Sequence, residues 1–151
     1  MELTKQDERF MHEALKEARK AFEKDEVPIG AVIVCDGIVI ARAYNYTEHL
    51  NDVTAHAEMQ AITSAANYLG GKYLNDCTLY VTIEPCVMCA GALFWAQIGR
   101  IVYGAADPKR GFSKIGTHLL HPKTKFSTGM LEDECSHLIK TFFEGKRREG
   151  L

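Results

Sequence analysis

The sequence has no run approaching the ~18 apolar residues that a membrane-spanning helix needs. Residues 1–24 alternate charged and apolar side chains and lack the apolar block of a secretory signal. No internal repeat, low-complexity tract or linker divides the chain. A cytoplasmic protein with no membrane partner is therefore expected. An even cysteine count is also missing. Cys35, Cys77, Cys86, Cys89 and Cys135 are five, and without a secretion signal an odd count gives no disulfide framework, so no disulfide partner is expected. Nor is there a general excess of basic charge. A net charge of -2 and a pI near 6.3 argue against a uniformly basic nucleic-acid binder.

What is present is ordinary for a globular protein: 151 residues, 46% hydrophobic and 25% charged, which predicts one domain over residues 1–151. The charge is unevenly placed. Residues 1–99 hold 8 Lys+Arg against 14 Asp+Glu, whereas residues 100–151 hold 10 against 6. Lys109, Arg110, Lys114, Lys123 and Lys125 fall in a stretch, 109–128, that contains no acid. Such a segment either attracts phosphates locally or is a solvated charged face.

Hydrophobic periodicity predicts a first helix over Thr4 to Lys24, with Phe10, Met11, Ala14, Leu15, Ala18 and Phe22 on one side. Ala31–Cys35 and Ile38–Ala43 read as strands joined at Asp36-Gly37, a dipeptide suited to a two-residue hairpin turn. A polar loop over Asn45 to Val53 precedes a helix over Ala55–Leu69, with Thr54 as its cap and Gly70-Gly71 at its end. Thr78–Thr82 reads as a strand, Cys86–Gln97 as a helix begun by Pro85, and Ile101–Tyr103 as a strand ended by Gly104. The segment from Asp107 to Thr117 reads as loop or short helix, Lys125–Thr128 as a short strand and Asp133–Lys146 as a closing helix. This alternation predicts a three-layer α/β/α fold around one sheet. Cys35, Cys77 and Cys135 lie in apolar surroundings and are assigned to the core. Trp95, Tyr103, Phe112, Phe126 and Phe143 are expected to be mainly core residues, with Phe112 and Phe126 as candidates for base stacking. Met59 and Met88 are read as packing residues.

The chemistry lies in His56-Ala57-Glu58 and, after a strand, Pro85-Cys86-Val87-Met88-Cys89. Zinc is held by imidazole nitrogen and thiolate sulfur, and a catalytic site leaves its fourth position to water. His56, Cys86 and Cys89 supply three such ligands. Water on zinc ionises near neutrality, and Glu58 is placed to take its proton. Cysteines at a helix start are favoured as thiolates. Cys-x-x-Cys alone could equally be a redox pair. A structural zinc site could recruit His12, His49, His118, His121 or His137, although none has a spacing that recommends it. The two motifs together favour a catalytic zinc site.

These motifs resemble the zinc-dependent cytidine deaminase superfamily, whose signature is H-x-E with P-C-x-x-C. Within it the chain is most similar to the bacterial tRNA adenosine deaminases. The shared stretches are Val27–Val32, Asn45, Asp52–Glu58, Leu79–Thr82, Glu84–Ala92, Ile98–Arg100 and Phe142-Phe143 with a basic tail. The resemblance implies a cytidine-deaminase-like fold with a mixed five-stranded sheet. It implies one Zn2+ per subunit on His56, Cys86 and Cys89, with Glu58 as proton shuttle. It implies hydrolytic attack at C6 of the wobble adenosine (position 34) in a tRNA anticodon stem-loop, giving inosine. Asn45, Ile29, Ile83, Ala57 and Asp107 would bind the substrate nucleotides. Lys109, Arg110, Lys146, Arg147 and Arg148 would lie near RNA phosphates. A homodimer is implied as well. Three features depart from the pattern: Phe94-Trp95-Ala96, which resembles bacterial guanine deaminases, Ala106 before Asp107, and a short His118–Pro122 loop. The alternatives are a deaminase of a free base or nucleoside such as guanine, and a catalytically silent RNA-binding scaffold with structural zinc. The retained Glu58 argues against the scaffold.

Overall fold

The first helix, α1 (Lys5–Glu23), begins at Thr4. The Thr4 hydroxyl accepts from the Asp7 N–H, and the Asp7 carboxylate accepts from the Thr4 N–H. This reciprocal cap satisfies two donors that a helix start would leave open. In this computed structural model, which describes residues 2–150, the chain continues through β1 (Gly30–Cys35), β2 (Ile38–Tyr44), α2 (Thr47–Leu50), α3 (Ala57–Leu69) and β3 (Cys77–Ile83). It then forms α4 (Val87–Ala96), β4 (Arg100–Ala105), two 3-10 turns (Phe112–Lys114 and Thr117–Leu119), β5 (Lys125–Thr128) and α5 (Glu132–Glu149).

The five strands form one mixed sheet in the order β2-β1-β3-β4-β5. β1 runs antiparallel to both β2 and β3, while β3, β4 and β5 are parallel. Asp36 and Gly37 both have positive φ, as the tight β1–β2 turn requires. One face packs on α3 and α4, burying Ala31, Ile33, Leu79, Val81 and Ile101 against Ala61, Ala65 and Leu93. The other packs on α1 and α5, burying Val32, Val34, Tyr80 and Val102 against Met11, Leu15 and Cys135. The alternation of faces along β1 and β3 is the period of two expected of strands covered on both sides. The result is the expected α/β/α arrangement. Among the described residues no helix is long and apolar enough to cross a membrane.

Several expectations need correction. The loop over Asn45–Val53 contains a helical turn, α2. Its N–H groups at Glu48 and His49 donate to the carboxylate of Glu26, which is fully buried. Thr54 does not cap α3. Its N–H and hydroxyl both donate to Asp52 Oδ1, and the helix starts two residues later with His56 at the cap position. Gly104 lies within β4 rather than ending it, and glycine is required there because Cys135 Sγ and the Thr82 carbonyl leave no room for a Cβ. Trp95 is 77% exposed, and Phe112 is fully buried between Tyr103 and Phe126. Phe112 is therefore a core residue with no face for a base, and Trp95 is not a core residue. Cys77 and Cys135 are buried as expected, whereas Cys35 sits half-buried at the core's edge. Met88 is partly exposed at the start of α4.

Candidate active site

β3 carries the chain to Ile83, and Glu84-Pro85-Cys86 turns it into α4. Cys86 occupies the cap position of α4, as His56 does in α3, and the two helices pack side by side. The two caps therefore meet. His56 Nδ1 lies 3.6 Å from Cys86 Sγ and 3.5 Å from Cys89 Sγ, and all three donor atoms lie within 4.8 Å of one another. Tetrahedral zinc with ordinary Zn–N and Zn–S bonds sets an N···S edge of about 3.6 Å, so the cradle fits that ion.

The electrostatics agree with the geometry. The hydrogen bond from Cys89 holds the Cys86 thiol down at about 4 despite its burial, and His56 adds to this. The same contact with Cys86, together with burial, drives the Cys89 thiol up. The hydrogen bond to Cys86 raises His56 against the opposing effect of burial. Two thiolates repel at this range, and a dication of zinc's charge would let both cysteines ionise. Glu58, second residue of α3, is buried beside them. Burial pushes its carboxyl up to about 7, and the negative charge of Cys86 adds to this. A carboxyl that exchanges a proton near neutrality next to a metal cradle is equipped for acid–base work.

The family model of the cytidine and deoxycytidylate deaminase zinc-binding region matches residues 4–105. The chain is 49% identical to a tRNA-specific adenosine deaminase of Agrobacterium fabrum (strain C58 / ATCC 33970) over 143 residues, covering 91% of this chain and 94% of that protein. The chain belongs to the tRNA-specific adenosine deaminase family. A solved structure from biochemical and structural studies of A-to-I editing by tRNA:A34 deaminases superimposes with a TM-score of 0.81 at 48% identity, covering 86% of this chain and 98% of that one. The guanine deaminase of Bacillus subtilis is 42% identical but covers only 66% of this chain and 64% of its own, with a TM-score of 0.63.

In this member of the tRNA-specific adenosine deaminase family, Asn45 is 6% exposed just after β2. Its N–H donates to the Ile29 carbonyl. Ala57 is fully buried in the first turn of α3. Ile29 borders both cores, and Ile83 belongs to the core on the α1–α5 side. Asp107 does not project freely, because its Oδ1 accepts from the N–H groups of Lys109 and Arg110. Lys109, Arg110, Arg147 and Arg148 are exposed. Lys146 is engaged by Asp25 at 2.6 Å and by Glu149 at 3.5 Å. Phe94 contacts His121 and Trp95 faces solvent, so the guanine-deaminase-like tripeptide lies along α4 away from its capped start.

Three further polar side chains tie together the segments that lead to the site. Glu26 anchors α2 by accepting from the backbone of Glu48 and His49 and from His49 Nδ1. Gln60 donates to the carbonyls of Tyr44 and Ala55, tying the approach to Asn45 to the approach to His56. Glu84 accepts from Asp107 and Ser113. An acid at the end of an apolar strand and beside a ligand cysteine was the one available signal for Glu84.

Proposed function

We propose that this protein hydrolyses adenosine to inosine at wobble position 34 of a tRNA anticodon, with one zinc ion per subunit, as a homodimer in the cytoplasm. The carrying observation is the cradle of His56, Cys86 and Cys89 with the buried Glu58 carboxyl against it. The tRNA:A34 deaminases share this chain's fold at 48% identity. When bound, zinc supplies the Lewis acidity that makes water nucleophilic at neutral pH.

The chain's own groups account for the rest. Glu58 takes a proton from the attacking water and delivers it to the ring nitrogen next to C6. It then carries the second proton to the departing amino group. Ammonia leaves, and the oxygen stays on C6. The side-chain amide of Asn45, a residue only 6% exposed, holds the base edge, and Ile29 and Ala57 exclude water beside it. A base in an anticodon loop reaches such a site with only modest unstacking. Asp107, Lys109 and Arg110, with the tail residues Arg147 and Arg148, face the flanking nucleotides.

The test is inosine and ammonia formation from an anticodon stem-loop with adenosine at position 34, beside free adenosine, guanine, guanosine and cytidine. Turnover of the stem-loop alone is expected. Glu58→Ala should keep its zinc and lose at least about a hundredfold in rate, the usual contribution of a positioned acid–base group. Turnover of guanine alone would replace the tRNA reading with a free-base deaminase.

A further inference from the structure

Glu84 is 4% exposed, and among the described residues no cationic side chain pairs with it. Its acceptor sites are filled instead by one loop. Oε1 accepts from the Asp107 N–H at 3.1 Å. Oε2 accepts from the Ser113 N–H at 2.9 Å and from the Ser113 hydroxyl at 2.6 Å. These donors are the two ends of segment 107–113. Between them, a Cβ on Gly111 would lie 2.3–2.4 Å from the Glu84 carboxylate, so only glycine lets the loop close over it. The backbone repeats the tie. The Glu84 N–H donates to the Ala105 carbonyl, the Phe112 N–H donates to the Pro85 carbonyl, and Cys86 bridges to Gly111. Asp107, once fixed, holds the N–H groups of Lys109 and Arg110.

We propose that Glu84 is a positioning residue that braces the 107–113 loop, and with it Lys109 and Arg110, against the turn that presents Cys86, so that RNA seating is referenced to the metal cradle. This rests on the tRNA reading above. A residue serving packing alone would do as well or better as an apolar side chain, since a buried carboxylate costs free energy unless its acceptors are filled. Here every donor that fills them comes from the one loop that carries the cations. A carboxylate suits this because it only accepts. In Glu84→Gln one end of the side chain becomes an NH2 group facing an N–H, so one end of the loop must let go.

The experiment uses the full-length zinc-loaded protein with Glu84→Gln, Ser113→Ala and the double variant. It measures zinc content, KM and kcat for the anticodon stem-loop, and amide hydrogen exchange. Glu84→Gln should keep its zinc and its kcat and raise KM about tenfold, the effect of losing a hydrogen bond to a charged group. Exchange at Asp107 or Ser113 should quicken. Ser113→Ala, which removes one hydroxyl from an otherwise exposed residue and leaves the core intact, should raise KM about threefold, and the double variant should be no worse than Glu84→Gln because both act through one carboxylate. Loss of zinc and kcat with KM unmoved, or additive effects in the double variant, would overturn the proposal. If Glu84→Gln fails to fold, an unmoved KM in Ser113→Ala overturns it alone. Wild-type protein that leaves the stem-loop untouched would sink the wobble reading and this proposal together. Wild-type turnover with KM unmoved in every variant sinks only this one.

Discussion

Asp7 shows how much one side chain carries away from the chemistry. Its carboxylate accepts from Tyr80 at 2.7 Å and from two Arg100 nitrogens at 2.8 and 3.0 Å, as well as from the Thr4 N–H. Burial pushes this carboxyl up, but the bonds from Arg100, Tyr80 and Thr4 outweigh it and hold it at about 2. The folded value is below the free one of 3.8, so the stabilisation is present above about pH 4 and is lost as pH falls towards 2. Asp7→Asn should therefore cost about 2 kcal/mol at pH 7, and the gap from wild type should close in acid. Denaturant titrations of both proteins at several pH values check this, and a gap that ignores pH would assign the effect to packing. The cysteine pair makes a second prediction. Cys89 is held as a thiol without a cation, so zinc uptake must expel its proton. Uptake should release acid into a weakly buffered solution and weaken as pH falls from 8 to 6 in chelator competition. Uptake independent of pH would mean that Cys89 is no ligand.

At the scale of elements, α1 approaches β1 closely at Gly30. A Cβ on Gly30 would sit 2.1 Å from the Ala14 carbonyl oxygen and 2.3 Å from the Ala18 nitrogen. These are backbone atoms, so the helix itself must move. Gly30→Ala should cost about 1–3 kcal/mol as overpacking, lowering Tm by several degrees. A scanning melt decides it, and an unchanged Tm would show that α1 can shift freely. Most elements were legible because apolar spacing and turn residues are local properties: α1, the hairpin at Asp36-Gly37, β5 and α5 fall where the pattern puts them. The start of α3 was not. Thr54 has the chemistry of a cap, but Asp52 takes its hydroxyl, and that competition depends on where the loop folds. The shift matters because it leaves His56 at the helix start, facing the start of α4.

For the whole molecule, the uneven charge predicts a salt response. The acidic first part carries the cradle, and the basic last part carries the exposed cations. Stem-loop affinity should fall with salt, by a log–log slope of about -0.7 for each phosphate neutralised. Replacing both Lys109 and Arg110 by alanine should flatten the slope by about 1 or more. Lys146→Ala should change it little, since Asp25 and Glu149 already hold that ammonium. Anisotropy titrations across salt concentrations separate the cases. Equal slopes in all three proteins would remove the 109–110 turn from the RNA face.

By itself the sequence determined the alternation of helices and strands, the layer class, and the residue types that can hold zinc and move a proton. Each of these follows from spacing within one segment, because a helix start, a Cys-x-x-Cys or a His-x-Glu has its geometry set over a few residues. The tertiary structure decided what depends on segments far apart in the chain. It brought the caps of α3 and α4 to hydrogen-bonding distance, buried Phe112 and exposed Trp95. It closed segment 107–113 over Glu84 and tied Lys146 to Asp25. These outcomes rest on contacts between residues up to 121 positions apart, and such contacts leave no periodic trace in the sequence.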